Sequence, residues 1–335
     1  MSLKSKLLKK STIEETASLE ASKIWSPKDI ISTDIPALNV ALSGDLNGGM
    51  GPGILQIAGK SKMFKSKFAL LIGDAFQKKF SDGVVLIYDS EFGTPKSYYN
   101  GMTTDNIIHS PVVEIEELSH DIITQFDEVD SKENDKLLVI IDSLGNLASR
   151  KEVADAREGN DVVDLTRSKK IKSLFRLIGP RVGVKDIYVI VINHTYDTIE
   201  KYSKQVVGGG TGTIYNSNGI WLITSSKETE GEGKDRETVG FDFNIKIEKS
   251  RFVKQDSKIP ITVNFDSGVY KYSGLLEMAL EAKILIRPTL QKWAFASSPT
   301  DTFKKDEIDD KVYEKILADK NFQEWVRQTY KYKDE

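Results

Sequence analysis

Cysteine is absent from this chain, which removes disulfides, Cys-ligated zinc and thiol chemistry at once. That fits a reducing compartment, and the expected location is the cytoplasm. Histidine is scarce. His109, His120 and His194 are all there are, too scattered for a catalytic metal cluster. No apolar run approaches the ~20 residues needed to span a bilayer, so no membrane partner is expected. The opening Met1-Ser-Leu-Lys-Ser-Lys-Leu-Leu-Lys-Lys10 is basic but has neither the apolar core nor the cleavage site of a signal peptide. An excess of one charge is missing too: 47 basic against 50 acidic residues give a net charge of −3. No global field then draws the chain to nucleic acid, and any such binding falls to local patches.

What remains is 335 residues of ordinary globular composition, 39% hydrophobic and 29% charged, enough for one large domain and a smaller one. Residues 3–24 read as a helical arm, with Leu3, Leu7 and Leu8 on one side, ended by Trp25-Ser-Pro27. Between 54 and 224, short apolar runs at 54–58, 84–88, 137–141 and 188–192 alternate with helical periods at 66–80, 114–130 and 161–178. Continuous apolar strands between helices imply an α/β fold with a mostly parallel sheet covered on both faces. After 224 the rhythm becomes strict alternation in Phe241-Asp-Phe-Asn-Ile-Lys-Ile-Glu-Lys249. That is a half-buried strand antiparallel to its neighbour, with a second at 259–265. The charged stretch 226–240 reads as an exposed hairpin loop. From Ser273 the chain turns amphipathic and helical, becomes irregular through Ser297-Ser-Pro299, and ends in a helix near 306–330. The expected organisation is an arm over 1–30 that contacts a neighbouring protomer, a core over 31–272, and a small α/β module over 273–335.

Strand 54–58 runs into Gly59-Lys-Ser-Lys-Met-Phe-Lys65-Ser66 and then a helix. This nearly fits the phosphate-binding pattern G-x-x-x-x-G-K-[ST], in which backbone amides and a helix N-terminus face the phosphates. In that reading Lys65 reaches the β- and γ-phosphates of ATP and Ser66 offers its hydroxyl to Mg²⁺. The loop Gly59, Lys60, Ser61, Lys62, Met63, Phe64, Lys65, Ser66 and Lys67 forms the nucleotide site. Phe64 stands where the pattern wants a second glycine, a cost if that position needs positive φ. An accidental Lys-Ser pair would look the same in isolation. Two further strand ends give the loop company. Asp142 closes the buried strand 137–141 and is placed to hold Mg²⁺ or its water. Glu91 follows strand 84–88 and can act as general base on a water. Asn193-His194 at a fourth strand end can contact the γ-phosphate. Arg150–Asp161 and 196–218 are two candidate mobile loops. The second carries Lys201, Lys204 and the run Gly208-Gly209-Gly210-Thr211-Gly212, and the first is followed by a helix opening with Arg167. In an ATPase these two loops point to a polymer gripped near the nucleotide.

With these stretches in hand, the chain resembles the RecA-type strand-exchange recombinases, closest to the branch carried by T-even phages. The resemblance rests on Tyr88-Asp-Ser-Glu-Phe-Gly93, Ile141-Asp-Ser-Leu-Gly-Asn-Leu-Ala-Ser149, Ile192-Asn-His-Thr-Tyr196, Val207-Gly-Gly-Gly-Thr-Gly212 and the lead-in Ile31 to Gly44. It covers roughly residues 1–295. It implies a RecA-like P-loop ATPase core, ATP and Mg²⁺, and filaments of this chain on single-stranded DNA that pair with duplex DNA. A single-stranded DNA-binding protein and a recombination mediator are implied partners, with the host cell cytoplasm as location if the chain is phage-encoded. It further implies Glu91 as catalytic glutamate, Tyr98 stacking on adenine, and His194 in the γ-phosphate-sensing position. Residues 150–167, including Arg157 and Arg167, and residues 196–218 correspond to the two DNA-binding loops. Lys249 and Arg251 resemble paired cations that reach the nucleotide of the neighbouring protomer. A hexameric helicase or motor with the same core, and a non-catalytic paralogue, stay open as alternatives at this point.

Overall fold

The computed structural model describes residues 1–13, 15–130, 133–160, 166–197, 205–230, 237–264 and 268–333. In chain order its elements begin with α1 (Leu3–Lys10), α2 (Pro36–Ser43), β1 (Gly53–Gly59), α3 (Lys65–Lys79), β2 (Val84–Asp89), β3 (Ile107–Pro111), α4 (Ile115–Glu128) and β4 (Leu137–Asp142). There follow α5 (Arg150–Glu158), α6 (Thr166–Lys185), β5 (Tyr188–Asp197), β6 (Gln205–Val207), α7 (Thr211–Asn216), β7 (Gly219–Glu230), β8 (Glu237–Ser250), β9 (Lys258–Asn264) and β10 (Gly268–Val269). The last are α8 (Leu275–Glu281), β11 (Leu285–Thr289), β12 (Lys292–Phe295), β13 (Thr302–Lys304), α9 (Asp310–Ala318) and α10 (Lys320–Tyr330).

The fold is α/β. One sheet runs β10-β9-β8-β7-β1-β5-β4-β2-β3, with β6 paired to the end of β5. From β7 to β3 the strands are parallel, and β8, β9 and β10 extend the sheet antiparallel. β11, β12 and β13 make a second, small antiparallel sheet. The four apolar runs became strands because both faces are covered. One buried layer joins β1 and β5 to α2, α3 and α8 through residues such as Ile57, Ile190, Phe68 and Leu275. The other joins the opposite side chains to α4 and α6 through Ile122, Phe126, Leu174 and Phe175. Tyr313, Ile316, Phe322, Val326 and Tyr330 of the last two helices lie in the first of these layers. Among the described residues, no helix is long and apolar enough to cross a membrane.

Five local expectations need correction. The arm is helical over Leu3–Lys10 only, followed by single turns of tighter helix at Leu19–Ala21 and Lys23–Trp25. Leu3 and Leu7 are exposed, so their periodicity has nothing to pack against within the chain. A short unsupported helix is marginal in water, and Ser11 ends this one by bonding locally to the Ile13 amide and the Thr16 hydroxyl. Residues 150–158 are a helix rather than a loop. Ser149 and Glu152 form a reciprocal capping box, and Gly159 at φ 71° closes the far end. The stretch 226–240 is largely strand: Lys227 pairs with Phe241 and Glu230 with Glu237, while 231–236 lie outside the described residues. Polarity there signalled exposure, but hairpin backbones pair whatever their side chains. Residues 196–218 are not structureless either. Thr195 to Asp197 pair with Gln205 to Val207, and α7 follows. The C-terminal helix is two, because Asp319 both ends α9 and caps α10 through the amides of Asn321 and Phe322.

Candidate active site

The C-terminal ends of β1, β5, β4 and β2 are neighbours, and each delivers a polar residue to the same edge. Gly59 pairs with His194 across β1 and β5, and Asp89 with Asp142 across β2 and β4. After Gly59 the chain turns through Lys62 at φ 64° and Phe64 at φ 52°, ψ 23°, then enters α3 at Lys65. The glycine position of the pattern therefore does require a left-handed backbone, and phenylalanine occupies it at a cost of about 1–2 kcal/mol. The ring is what holds it there. It stacks on Tyr98 at 6.4 Å and meets Phe241 at 6.4 Å and Phe243 at 5.4 Å. Such aromatic pairs contribute about 0.5–1.5 kcal/mol each beyond burial, enough together to outweigh the strain.

Lys65 is buried, with 7% exposure, and its Nζ donates to the Lys60 carbonyl at 2.8 Å. Burial pushes its ammonium below the usual lysine range, opposed by the carboxylates of Glu91 and Asp142. Asp142, 5% exposed, is pushed up to about 6, chiefly by burial and then by the charges of Glu91 and Asp89. A hydrogen bond from Ser66 and the Lys65 charge act the other way. Its Oδ1 has no hydrogen-bond partner. A buried carboxylate oxygen left open beside a hydroxyl is a donor set that suits a hard divalent cation or its water.

Glu91 faces this pair. Its Oε1 accepts from Ser143 Oγ at 2.9 Å and lies 2.8 Å from His194 Nε2. His194 approaches so closely that a Cβ on Gly145 would stand 2.6 Å from its ring. Behind His194, the Gly208 amide donates to the His194 carbonyl at 3.0 Å, and Asn193 Nδ2 donates to the Gly208 carbonyl at 2.7 Å. The glycine run is thus hydrogen-bonded directly to the strand that carries His194. Gly209 and Gly210, at φ 86° and 74°, turn the chain into α7 at Thr211 and Gly212. Tyr98 lies beside the phosphate loop with the Lys67 ammonium 5.2 Å from its ring centre.

Not all the sequence candidates gather here. Lys249 and Arg251 lie at the other end of the sheet, where Gly219 pairs with Ser250 and with Leu55 of β1. That is four residues, roughly 13 Å, down β1 from Gly59. Lys249 Nζ donates to the carbonyls of Ile214 and Tyr215 at the end of α7. Burial, then the nearby Arg251 charge, pushes its ammonium down. Arg167 donates to the carbonyls of Leu144, Gly145 and Leu147, bracing the turn behind Ser143. Arg157 is exposed on α5. Lys201 and Lys204 lie outside the described residues. Residues to which the sequence reading gave no role are Asp89, Ser143 and Gly145. Of these, Asp89 had a signal, since Asp-Ser-Glu at a strand end is an Asx-turn sequence.

No protein-family model matches the chain. It is similar to the recombination and repair protein of Enterobacteria phage T4, with 46% identity over 288 residues, 85% of this chain and 72% of that protein.

Proposed function

The chain belongs to the family of the phage T4 recombination and repair protein, and from that premise we propose that it is a DNA-dependent ATPase that assembles head to tail on single-stranded DNA and pairs it with homologous duplex. The observation that carries this reading is a division of the candidate residues between two ends of one sheet. Lys65, Ser66, Glu91, Asp142 and His194 gather at one end, and Lys249 and Arg251 stand at the other. A chain built this way has half a site at each end. Heterologous head-to-tail contacts complete such sites and generate filaments wherever the rotation between protomers does not close a ring.

In this reading the amides of the 59–67 loop and the N-terminus of α3 take the triphosphate of ATP, and Lys65 leaves the Lys60 carbonyl for its β- and γ-oxygens. Ser66 and Asp142 would hold Mg²⁺, which when bound neutralises charge developing on the phosphates. Glu91 accepts the proton of the attacking water. Tyr98 stacks on the base. Lys249 and Arg251 of one protomer serve the nucleotide of the next, as arginine fingers do. Arg157 and Arg167, Lys201 and Lys204, and the run Gly208, Gly209, Gly210, Thr211 and Gly212 provide the DNA contacts. The hydrogen bonds from the Gly208 amide to the His194 carbonyl and from Asn193 Nδ2 to the Gly208 carbonyl give nucleotide state a short path to that run. A single-stranded DNA-binding protein and a loading mediator are the partners this activity calls for.

ATP hydrolysis by the purified chain, measured with and without single-stranded DNA and followed by a strand-exchange assay, tests the proposal. Stimulation by single strands together with strand exchange is the expected result. DNA affinity should also fall steeply with salt, because cations meet phosphates. Unwinding without exchange would point to a helicase, and no stimulation would remove the recombinase reading.

A further inference from the structure

Glu91 sits on a turn that is latched from both sides. On one side the Ser90 amide donates to the Asp142 carbonyl at 2.7 Å. Ser90 Oγ donates to the Ser143 carbonyl at 2.7 Å and accepts from its amide at 3.0 Å. On the other side stands Asp89, the last residue of β2, only 7% exposed. Its Oδ1 accepts the amides of Glu91 at 2.9 Å and Phe92 at 2.8 Å. Its Oδ2 lies 3.1 Å from His109 Nε2. Phe92 has φ 55°, a backbone state that a non-glycine residue keeps only when its surroundings hold it. The bond from its amide to Asp89 is that hold.

We propose that Asp89 and His109 form a positioning pair for Glu91, resting on the ATPase reading above. His109 donates its Nε2–H to Oδ2 and fixes the carboxylate rotamer in which Oδ1 meets both amides of the turn. The turn in its left-handed state then aims Glu91 at Ser143, His194 and the water it activates. A carboxylate with one oxygen unpartnered would rotate to find another donor, releasing one amide and letting Phe92 relax. His109 is bonded to Asp89 and comes from the edge strand β3. Its side chain is 48% exposed and lines an open cavity of about 410 Å³ with Ile87, Phe92, Lys96 and Tyr99. The pair acts on the chemical step and leaves nucleotide binding alone.

The test is steady-state ATP hydrolysis by the full chain with saturating single-stranded DNA, comparing wild type, His109→Ala, His109→Gln and Glu91→Gln. His109→Ala should lower kcat about tenfold with KM for ATP unchanged, because a displacement of about 1 Å in a catalytic group is costly. His109→Gln, whose amide N–H reaches a similar point, should recover to within about threefold of wild type. A merely structural role would lower the melting temperature and raise KM together. Wild-type kcat in His109→Ala, or equal losses in the Ala and Gln variants, overturns the pair. If wild type does not hydrolyse ATP, the ATPase reading falls and the pair with it; if Glu91→Gln matches an active wild type, the base lies elsewhere and the pair alone falls.

Discussion

Glu91→Gln is expected to reduce DNA-stimulated ATP turnover by about 10²–10⁴-fold, the range for loss of a general base. Glutamine is nearly isosteric, and its carbonyl oxygen can still accept from Ser143 Oγ, which now bonds Oε1 at 2.9 Å. The phosphate loop, the Lys65 ammonium and the Ser66–Asp142 pair are untouched, so ATP binding should stay within about threefold of wild type, as befits a group used only in the transition state. Phosphate release and equilibrium nucleotide binding on the same preparation separate the two effects. Turnover close to wild type would move the base elsewhere. Loss of binding and turnover together would make Glu91 a structural residue.

Asp142→Asn is expected to stabilise the nucleotide- and metal-free chain while abolishing hydrolysis. The Asp142 carboxyl is pushed up to about 6 from an ordinary 3.8, mainly by burial. The folded chain thus binds this proton more tightly than the unfolded chain does. Its stability falls as pH rises from about 4 to about 6 and is level above that, for this group. Above pH 6 the ionised carboxylate costs up to about 3 kcal/mol relative to a neutral group in the same place. Asparagine removes that charge. In denaturant melts, the variant should gain most of this difference at pH 7 and little of it at pH 4. Under the proposed metal role of Asp142, Mg²⁺ with ATP should stabilise the wild type and not the variant. A variant less stable than wild type at both pH values would contradict this account of Asp142.

Such a site is partly legible in sequence because its framework is apolar. Four buried runs announced four strands, and the residue after each run falls at the same sheet edge once the strands are parallel. The requirement for positive φ at residue 64 was legible too, as a glycine position filled by phenylalanine. What fills the gap was not, because Phe241 and Phe243 come from a strand some 180 residues later. His109 carries no signal at all. It sits on a five-residue edge strand with little burial, and only the sheet order brings it beside Asp89. The capping box at Ser149 and Glu152 was legible as Ser-x-x-Glu, the signature of a helix start, although the expectation for this stretch was a loop. The separation of Lys249 and Arg251 from Lys65 depends wholly on topology. A strand antiparallel to its neighbour returns its last residues to the far end of the sheet, and no local pattern states which end that is.

That separation makes the central claim testable by mixing two inactive proteins. Lys65→Ala has a broken phosphate loop and intact cations; Lys249→Ala/Arg251→Ala has the reverse. In a head-to-tail assembly of equal amounts, about a quarter of the contacts join an intact loop to intact cations. DNA-stimulated ATP hydrolysis by the mixture should therefore recover to about a quarter of the wild-type rate per protomer, while each variant alone stays inactive. A mixture no more active than its parts would contradict a site completed by a neighbour.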